Sequence, residues 1–368
     1  MTKYELGNIL IYEQPTKYIV KSENYDDAFA TPVLTPGQTF ILGYTNETDG
    51  IYSAPLPVII FDDFTTATKL VNFPFKVKSS AMKILKPASD KVYIPYWYYY
   101  LSSLKVDNGL HKRYWISTFA NRQISAPSFP EQKRIATLLD KVQELIAKQK
   151  EQIATLDLLI KSRFLDMFGD PITNPKNWPL FPLGKFISIS GGFAFSSSEF
   201  KESGLPIVRI GNINSGVFKD DHFVFYQENE KLRKYLVYPD DLVLSLTGTV
   251  GKDDYANICF IGKKYARYYL NQRNAKLVLT SNLDKTFIWQ IFKSPEIKKR
   301  LTSLNRGVRQ ANISNQDILN LKVIYPDLFL QTQFANFVKS VEQQKEVFSA
   351  RLSHLEVLYK SLMQEYFG

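Results

Sequence analysis

Two stretches of this chain repeat each other: residues 131–169 read EQKRIATLLDKVQELIAKQKEQIATLDLLIKSRFLDMFG, and residues 330–368 read LQTQFANFVKSVEQQKEVFSARLSHLEVLYKSLMQEYFG. They align without a gap at a constant spacing of 199 residues, so that Gln132 matches Gln331. Self-similarity of this kind predicts a chain built twice on one plan.

Both stretches have the apolar spacing of long helices. Apolar residues recur three and four positions apart over more than five turns, and neither stretch contains a proline. This spacing gives each helix one apolar seam, as in coiled coils. Polar side chains interrupt the seam at Gln149, Arg163 and Lys345, and such interruptions fix the register of coiled coils.

Two pairings of these helices are open. The helices of one chain can pair antiparallel, because each lies next to a globular unit and the two units must be reached from opposite ends. Alternatively, the helices of two chains can form a homodimer. A helix of about 40 residues is about 60 Å long, which would hold two units between one and two turns of duplex DNA apart, at about 34 Å per turn.

The segments that precede the helices also correspond. Leu6-Gly7 matches Leu183-Gly184, and the apolar run 58–60 matches 242–244, each run being followed by a turn that carries threonine. The predicted domains are 1–129 for the first globular unit, 130–169 for the first long helix, 170–182 for a linker rich in proline and asparagine, 183–325 for the second globular unit and 326–368 for the second long helix.

The globular units are predicted to mix strands and helices. Short runs rich in β-branched and aromatic residues, such as 57–61, 71–77 and 207–210, are typical of strands. Helical patterns at 94–105 and 285–304 lie between such runs. The predicted fold class is therefore α+β, with two mixed α/β units joined by two long helices in an antiparallel coiled coil and a pseudo-two-fold internal repeat.

Composition narrows the class of protein. The formal net charge of +10 favours a polyanionic partner, nucleic acid before a membrane surface. Cys259 is the only cysteine, so an intrachain disulfide is impossible, and no long apolar run or signal pattern occurs. We therefore expect a cytoplasmic protein. One cysteine and three widely spaced histidines also predict that the chain holds no metal.

Two motifs suggest catalysis only at first sight. Residues 246–252 resemble a phosphate-binding loop, but Leu246 stands where that pattern needs glycine and Asp253 replaces its final hydroxyl residue. This loop is instead a candidate DNA contact or a tight turn. Asp62-Asp63 lacks the further nearby carboxylate of a metal-dependent nuclease, so we predict no catalytic residue in this chain.

Two basic stretches occupy matching places in the two halves, at 111–115 and 305–310, each just before an Ile-Ser pair. Arginine and glutamine read guanine and adenine edges in the major groove, and lysine and arginine hold phosphates. Solvated charged loops are the alternative interpretation. The complete set of candidate DNA-binding residues is Lys17, Tyr18, Thr65, Thr66, Lys69, Lys112, Arg113, Tyr114, Arg209, Asn212, Thr247, Thr249, Lys252, Arg306, Arg309 and Gln310.

The chain resembles the DNA specificity (S) subunits of type I restriction–modification systems. The resemblance rests on the junction from Phe168 to Trp178 (FGDPITNPKNW), on the Leu-Gly start of each unit, on Pro130-Glu131-Gln132 and on the duplicated plan. The second half departs from this pattern, because Pro326 and Gln331 are three residues further apart than Pro130 and Gln132.

The resemblance implies that each unit is a target recognition domain reading one half of a bipartite DNA site. It also implies that the long helices space these domains and dock two methyltransferase subunits, with restriction subunits completing the complex. The chain itself would be non-catalytic and would need no cofactor, whereas its partners would use S-adenosylmethionine, ATP and Mg. Because the two units differ strongly in sequence, the half-sites should differ as well.

Two other classes of protein stay open at this stage. A coiled-coil adaptor or DNA-binding homodimer unrelated to restriction would form dimers through its helices. An independent nuclease would lose metal-dependent cleavage on Asp62→Ala.

Overall fold

The computed structural model describes residues 3–36, 39–104, 113–249, 252, 254–303 and 310–368, with only the backbone described at Gln310. The chain divides into two compact units. The first combines Met1–Glu151 with Ser349–Gly368, and the second is Gln152–Phe348. Along the described residues, no helix has the length and apolar character needed to cross a membrane.

Among its described residues, the first unit contains nine strands, two short helices and one end of each of the two long helices. The strands are β1 (Lys3–Glu5), β2 (Leu10–Glu13), β3 (Thr31–Leu34), β4 (Ile41–Thr45), β5 (Val58–Asp62), β6 (Thr68–Val71), β7 (Lys76–Val77), β8 (Met82–Pro87) and β9 (Gln123–Ser125). The helices are α1 (Leu6–Ile9), α2 (Ile94–Ser103) and the first part of α3 (Phe129–Phe168), with a π-helical turn at Trp115–Phe119.

The described part of the second unit has twelve strands. They are β10 (Leu180–Pro182), β11 (Ile187–Gly191), β12 (Leu205–Val208), β13 (Val224–Tyr226), β14 (Leu236–Val237), β15 (Leu242–Ser245), β16 (Thr247–Thr249), β17 (Ile258–Phe260), β18 (Tyr268–Leu270), β19 (Asn274–Leu279), β20 (Gln310–Asn312) and β21 (Lys322–Ile324). Its helices are α4 (Ile210–Ile213), α5 (Lys285–Phe292), α6 (Pro295–Thr302), α7 (Asn315–Asn320), the second part of α3 and the first part of α8 (Leu328–Phe367), whose end belongs to the first unit.

Both units share one sheet topology, which confirms the duplication. A four-stranded antiparallel sheet has the order β2-β8-β5-β6 in the first unit and β11-β19-β15-β17 in the second. In a second sheet, β3 pairs antiparallel with β4 and parallel with β7, just as β12 pairs with β13 and with β18. The matched runs 58–60 and 242–244 form the central strands β5 and β15. Every residue of these two strands is buried, as expected for strands covered on both faces.

The Leu-Gly start of each unit is explained by a close approach. Gly7 donates its N–H to the Ala120 carbonyl at 2.8 Å, and a Cβ added there would lie 3.0 Å from the Ala120 Cβ. A Cβ on Gly184 would likewise lie 3.1 Å from the Leu319 Cβ. Glycine lets the start of each unit pack directly on the helical turn before its last short strand.

Within each unit the two long helices run antiparallel. In the first unit Arg134 approaches Tyr366, and Lys150 lies 3.1 Å from Glu356, so numbers rise on one helix as they fall on the other. The buried Ile135 and Leu139 belong to the same core cluster as partly buried side chains near the end of α8.

The second unit repeats this arrangement. Phe164 and Phe168 of α3 pack edge-on against Phe334 of α8, at centroid distances of 5.5 and 5.7 Å. Lys345, one of the polar interruptions of the seam, bonds to Asp157 of α3 at 2.7 Å. The intrachain antiparallel pairing is therefore the one present, and apolar seam residues are covered by the same chain.

The matched glutamines join each long helix to its globular unit. Buried Gln132 accepts hydrogen bonds from the Tyr93 N–H and the Trp97 indole, and donates to the Pro127 carbonyl at 2.9 Å. In the second unit, the side-chain oxygen and nitrogen of the matched glutamine play the same roles. Buried Gln331 accepts from the Asp284 N–H at 2.9 Å and donates to the Pro326 carbonyl at 2.8 Å.

These contacts correct the correspondence of one proline between the two halves. Pro326 corresponds to Pro127, five residues before the glutamine in each half, and not to Pro130. The spacing from this proline to the glutamine is therefore the same in both halves, and Phe329 stands where the first half has Pro130.

The junction from Phe168 to Trp178 has a structural role. Trp178 is half-buried, and its indole donates to the carbonyl of Phe168, the last residue of α3, at 2.9 Å. Asp170 accepts from the N–H groups of Ile172 and Thr173, which shapes the turn after the helix. The junction thus closes the end of α3 and begins the second globular part.

Two predicted elements are divided by proline. The helical pattern at 285–304 forms two helices, α5 and α6, because Pro295 begins the second and cannot continue the first. The run 71–77 contributes to two strands, β6 and β7, with Pro74 between them.

Candidate nucleic-acid interface

In the first unit, the turn after β5 holds the end of the predicted basic segment. The Asp63 carbonyl accepts a hydrogen bond from the Tyr114 N–H at 3.0 Å, and the Asp63 carboxylate accepts one from the Trp115 N–H at 2.9 Å. The same carboxylate lies 3.4 Å from the Lys83 ammonium, and both side chains are buried. Asp63 is thus an anchor for residues 113–115.

Asp62 caps the same turn. Its carboxylate accepts hydrogen bonds from the Phe64 N–H at 2.9 Å and from the Thr65 hydroxyl. Both adjacent carboxylates are therefore engaged in holding the turn. Across the described part of the chain, no group of three or more His, Cys, Asp or Glu could hold a metal ion. The nuclease alternative gains no support from this geometry.

The remaining candidates of the first unit are spread over several elements. Thr66 has a left-handed backbone (φ 62°) in the Asp62 turn, and Lys69 is exposed on β6. Arg113 is exposed, whereas Tyr114 is buried and therefore not available to DNA in this conformation. Lys112 lies outside the described residues.

Lys17 and Tyr18 converge on Glu13. The Lys17 ammonium and the Tyr18 hydroxyl each lie 2.8 Å from a Glu13 carboxylate oxygen, and Lys86 lies 2.6 Å from the other. Burial acts to raise the pKa of Glu13, but these hydrogen bonds outweigh it and lower the pKa to about 2. Glu13 therefore stays ionised and compensates the charge of the exposed Lys17.

In the second unit, the structure brings two separately predicted motifs together. Strand β16 belongs to the loop 246–252, which we term the Gly/Thr loop, and pairs antiparallel with β20, which begins at the end of the basic stretch 305–310. Thr247 faces Asn312, and Thr249 faces Gln310 across this ladder. Arg306 and Arg309 lie outside the described residues, as does the side chain of Gln310.

Asp254 fixes the end of this loop. Its carboxylate accepts hydrogen bonds from the Thr249 N–H at 2.8 Å and from the Thr249 hydroxyl at 2.9 Å. The bond from the Thr249 N–H is the main reason why the pKa of Asp254 is lowered. Thr249 and Asp254 are therefore tied to each other, with the exposed Lys252 between them in the sequence.

A cleft of about 610 Å³ opens at the carboxyl ends of the parallel strands β12 and β18. Its polar and basic lining includes Arg209, Lys219, His222, Asn271, Gln272 and Arg273. Arg209 donates to the His222 carbonyl at 2.9 Å. Asn212 also lines the cleft, but its buried side chain bonds three backbone groups and holds the short helix α4 in place.

Gln272 and Arg273 were missed by the sequence reasoning. The polar tetrapeptide 271–274 lies between two apolar runs, and this turn signal was available in the sequence. What the sequence did not provide was its neighbourhood, because the Arg273 carbonyl accepts the N–H of Leu246 at 2.9 Å. The turn therefore adjoins the start of the Gly/Thr loop.

The same connection exists in the first unit. Asp63 donates its N–H to the Ala81 carbonyl and accepts from Tyr114, just as Leu246 donates to the Arg273 carbonyl and accepts from the Ile313 N–H. Asp63 and Leu246, which we term the bridging residues, therefore occupy equivalent positions. In each unit one bridging residue joins three segments. They are the turn before the last strand of the four-stranded sheet (β8 or β19), the loop after the central strand (β5 or β15), and the end of the basic stretch or the residues just after it.

Residues 175–356 match the family model described as the type I restriction modification DNA specificity domain. The specificity subunit of the type I restriction enzyme EcoR124I/EcoR124II from Escherichia coli is 43% identical over 215 residues, which are 54% of this chain and 52% of that protein. The MjaVIII specificity subunit from Methanocaldococcus jannaschii is 27% identical over 263 residues, 67% of this chain and 61% of that protein. The chain thus spans about half the length of the first of these relatives.

Solved structures show the same fold over the whole chain. The type I restriction–modification S subunit from M. genitalium superposes with a TM-score of 0.66 at 16% identity, covering 100% of this chain and 96% of that one. A chain from a study of complex assembly in the type I R-M system gives a TM-score of 0.55 at 16% identity, covering 100% and 97%.

Proposed function

This chain belongs, through residues 175–356, to the family of type I restriction modification DNA specificity domains, and we propose that it is the subunit that selects the DNA sequence on which such a system acts. It would bind duplex DNA at a bipartite, asymmetric site and direct adenine methylation and ATP-dependent cleavage by partner subunits. The chain would act as a recognition protein without a catalytic centre of its own.

The observation that carries this proposal is the repetition of one connected set of segments in both units. In each unit a bridging residue, Asp63 or Leu246, joins a polar turn, a loop with threonine and lysine, and the end of a basic stretch or the residues just after it. Hydroxyl, amide and guanidinium donors on neighbouring turns are the groups that contact phosphates and base edges. Two such sets fit two half-sites, and the formal net charge of +10 fits a polyanionic ligand.

The side chains of the two sets differ, which supports an asymmetric site. The turn that carries Gln272 and Arg273 in the second unit corresponds to Ser79, Ser80 and Ala81 in the first. Two hydroxyls and a methyl group cannot make the contacts of an amide and a guanidinium. The two half-sites should therefore have different sequences.

The partners proposed for the chain are two methyltransferase subunits and restriction subunits, which would supply S-adenosylmethionine, ATP and Mg. Exposed leucine and valine side chains on the long helices, including Leu158 and Val357, offer apolar contact area for another protein. A cytoplasmic location follows from this function, because the DNA substrate is intracellular.

A genome-wide map of methylated adenines, made with and without this gene, tests the proposal. We expect that deletion removes one bipartite, asymmetric motif and that the intact gene restores it. Survival of every methylated motif after deletion, in a cell whose methyltransferase gene is expressed, would contradict the proposal.

A further inference from the structure

Gln272 and Arg273 occupy a turn whose backbone is fixed from three sides. The Asn271 N–H donates to the Val208 carbonyl at 3.1 Å, and the Gln272 N–H donates to the Phe193 carbonyl at 2.9 Å. The Arg273 carbonyl accepts from Leu246 at 2.9 Å. The ends of strands β12, β11 and β15 thus hold this turn, so its two central side chains project from a rigid base.

Inside the turn, the Asn271 side chain accepts the Arg273 N–H at 3.2 Å, and the Asn274 N–H donates to the Asn271 carbonyl at 3.0 Å. Buried Asn274 also donates from its side chain to the Val208 carbonyl at 3.1 Å. These bonds use the backbone groups and the asparagines, and they leave the side chains at 272 and 273 to other roles.

Those two side chains are exposed and line the cleft. Among the described residues, neither the Gln272 amide nor the Arg273 guanidinium forms a hydrogen bond or an ion pair. Two cations close in sequence are compensated: Arg267 bonds Glu228 at 2.8 Å, and Lys276 bonds Asp241 at 2.7 Å. An arginine and a glutamine amide without partners, on a turn with a fixed backbone in a polar cleft, keep their hydrogen-bonding groups available to a ligand.

We propose that Gln272 and Arg273 are specificity-determining residues that read base edges in the half-site bound by the second unit. This inference rests on the proposed function and assigns it to two side chains. Arginine pairs bidentately with the O6 and N7 of guanine, and glutamine pairs with the N6 and N7 of adenine. The structure therefore assigns one guanine and one adenine of that half-site to this turn.

A role in phosphate binding would look different in an experiment. Loss of a phosphate contact lowers the affinity for all sequences alike, whereas loss of a base contact weakens the preference for one base at one position. Lysine at position 273 would keep the charge but lose the bidentate geometry, since its ammonium is a single point donor. Arg273→Lys is therefore the variant that separates the two roles.

The test is a selection from a pool of randomised DNA duplexes with the full-length chain, comparing wild type, Gln272→Ala, Arg273→Ala and Arg273→Lys. Arg233→Ala is the matched control, since Arg233 is exposed, lies outside the cleft and pairs with Glu230. We expect Arg273→Ala and Arg273→Lys to reduce the preference for guanine at one position by roughly tenfold or more, with the other half-site unchanged. Gln272→Ala should do the same for one adenine, and Arg233→Ala should reproduce the wild-type motif.

Three results would overturn the inference. One is an unchanged motif in the Gln272 and Arg273 variants, and another is a uniform loss of affinity with the same motif, which indicates a phosphate contact. The third is a guanine preference fully retained by Arg273→Lys. If wild type itself selects no motif, the failure lies with the proposed function, whereas a wild-type motif with unaffected variants contradicts only this inference.

Discussion

Gln331→Ala removes a buried side chain that joins the second long helix to the second globular part. Gln331 is fully buried, and its loss leaves the Asp284 N–H and the Pro326 carbonyl without their partner. Each buried polar group left unsatisfied costs about 1–3 kcal/mol, so the free energy of unfolding should fall by about 2–6 kcal/mol. The small gain in helix propensity on replacing glutamine by alanine does not offset this loss.

Urea unfolding, followed by tryptophan fluorescence, measures the total effect, and hydrogen exchange of the Asp284 amide measures it locally. Gln343→Ala is the matched control, because Gln343 is exposed on the same helix and should change stability by less than about 0.5 kcal/mol. Equal stability of the Gln331 and Gln343 variants, with unchanged protection of the Asp284 amide, would refute the reasoning.

Three further predictions concern the loops. Asp63→Ala leaves the buried Lys83 charge unpaired, so urea unfolding should show the first unit destabilised by about 3–5 kcal/mol; a loss below about 1 kcal/mol would show that the pair contributes little. Because the pKa of Asp254 is lowered in the folded state, its stabilising effect is present above its ordinary pKa and is lost as the pH falls through the lowered value. Exchange protection of the Thr249 amide should therefore decline only below about pH 4, and Asp254→Asn should abolish that pH dependence. Lys252→Ala should lower DNA affinity for all sequences and reduce the slope of log K against log salt by about 0.9, as loss of one phosphate contact does; an unchanged slope argues against that contact.

The sequence was sufficient for the features that depend on periodicity. The long helices follow from an apolar seam that repeats every three or four residues, and the duplication follows from the gapless alignment of Gln132 with Gln331. The central strands were also recognisable, because β5 and β15 are short, continuous apolar runs between polar turns. These are local signals that tertiary packing did not override.

The candidate site is formed by contacts between segments that are distant in sequence, and a single sequence does not show which segments meet. Asn212 was predicted to contact DNA, yet its buried amide donates to the carbonyls of Lys219 and Asp221. Arg273 was not predicted to contact DNA, because a lone arginine in a turn is common. Its significance lies in the bridging residue Leu246, which comes 27 residues earlier and places the turn beside the Gly/Thr loop.

The most direct test of the central claim is the affinity of the full-length chain for a selected bipartite duplex and for two copies of it, each with one half-site scrambled. The account predicts that scrambling either half lowers the affinity by at least tenfold, because each unit reads its own half. Full affinity for a duplex that retains only one half-site would contradict it.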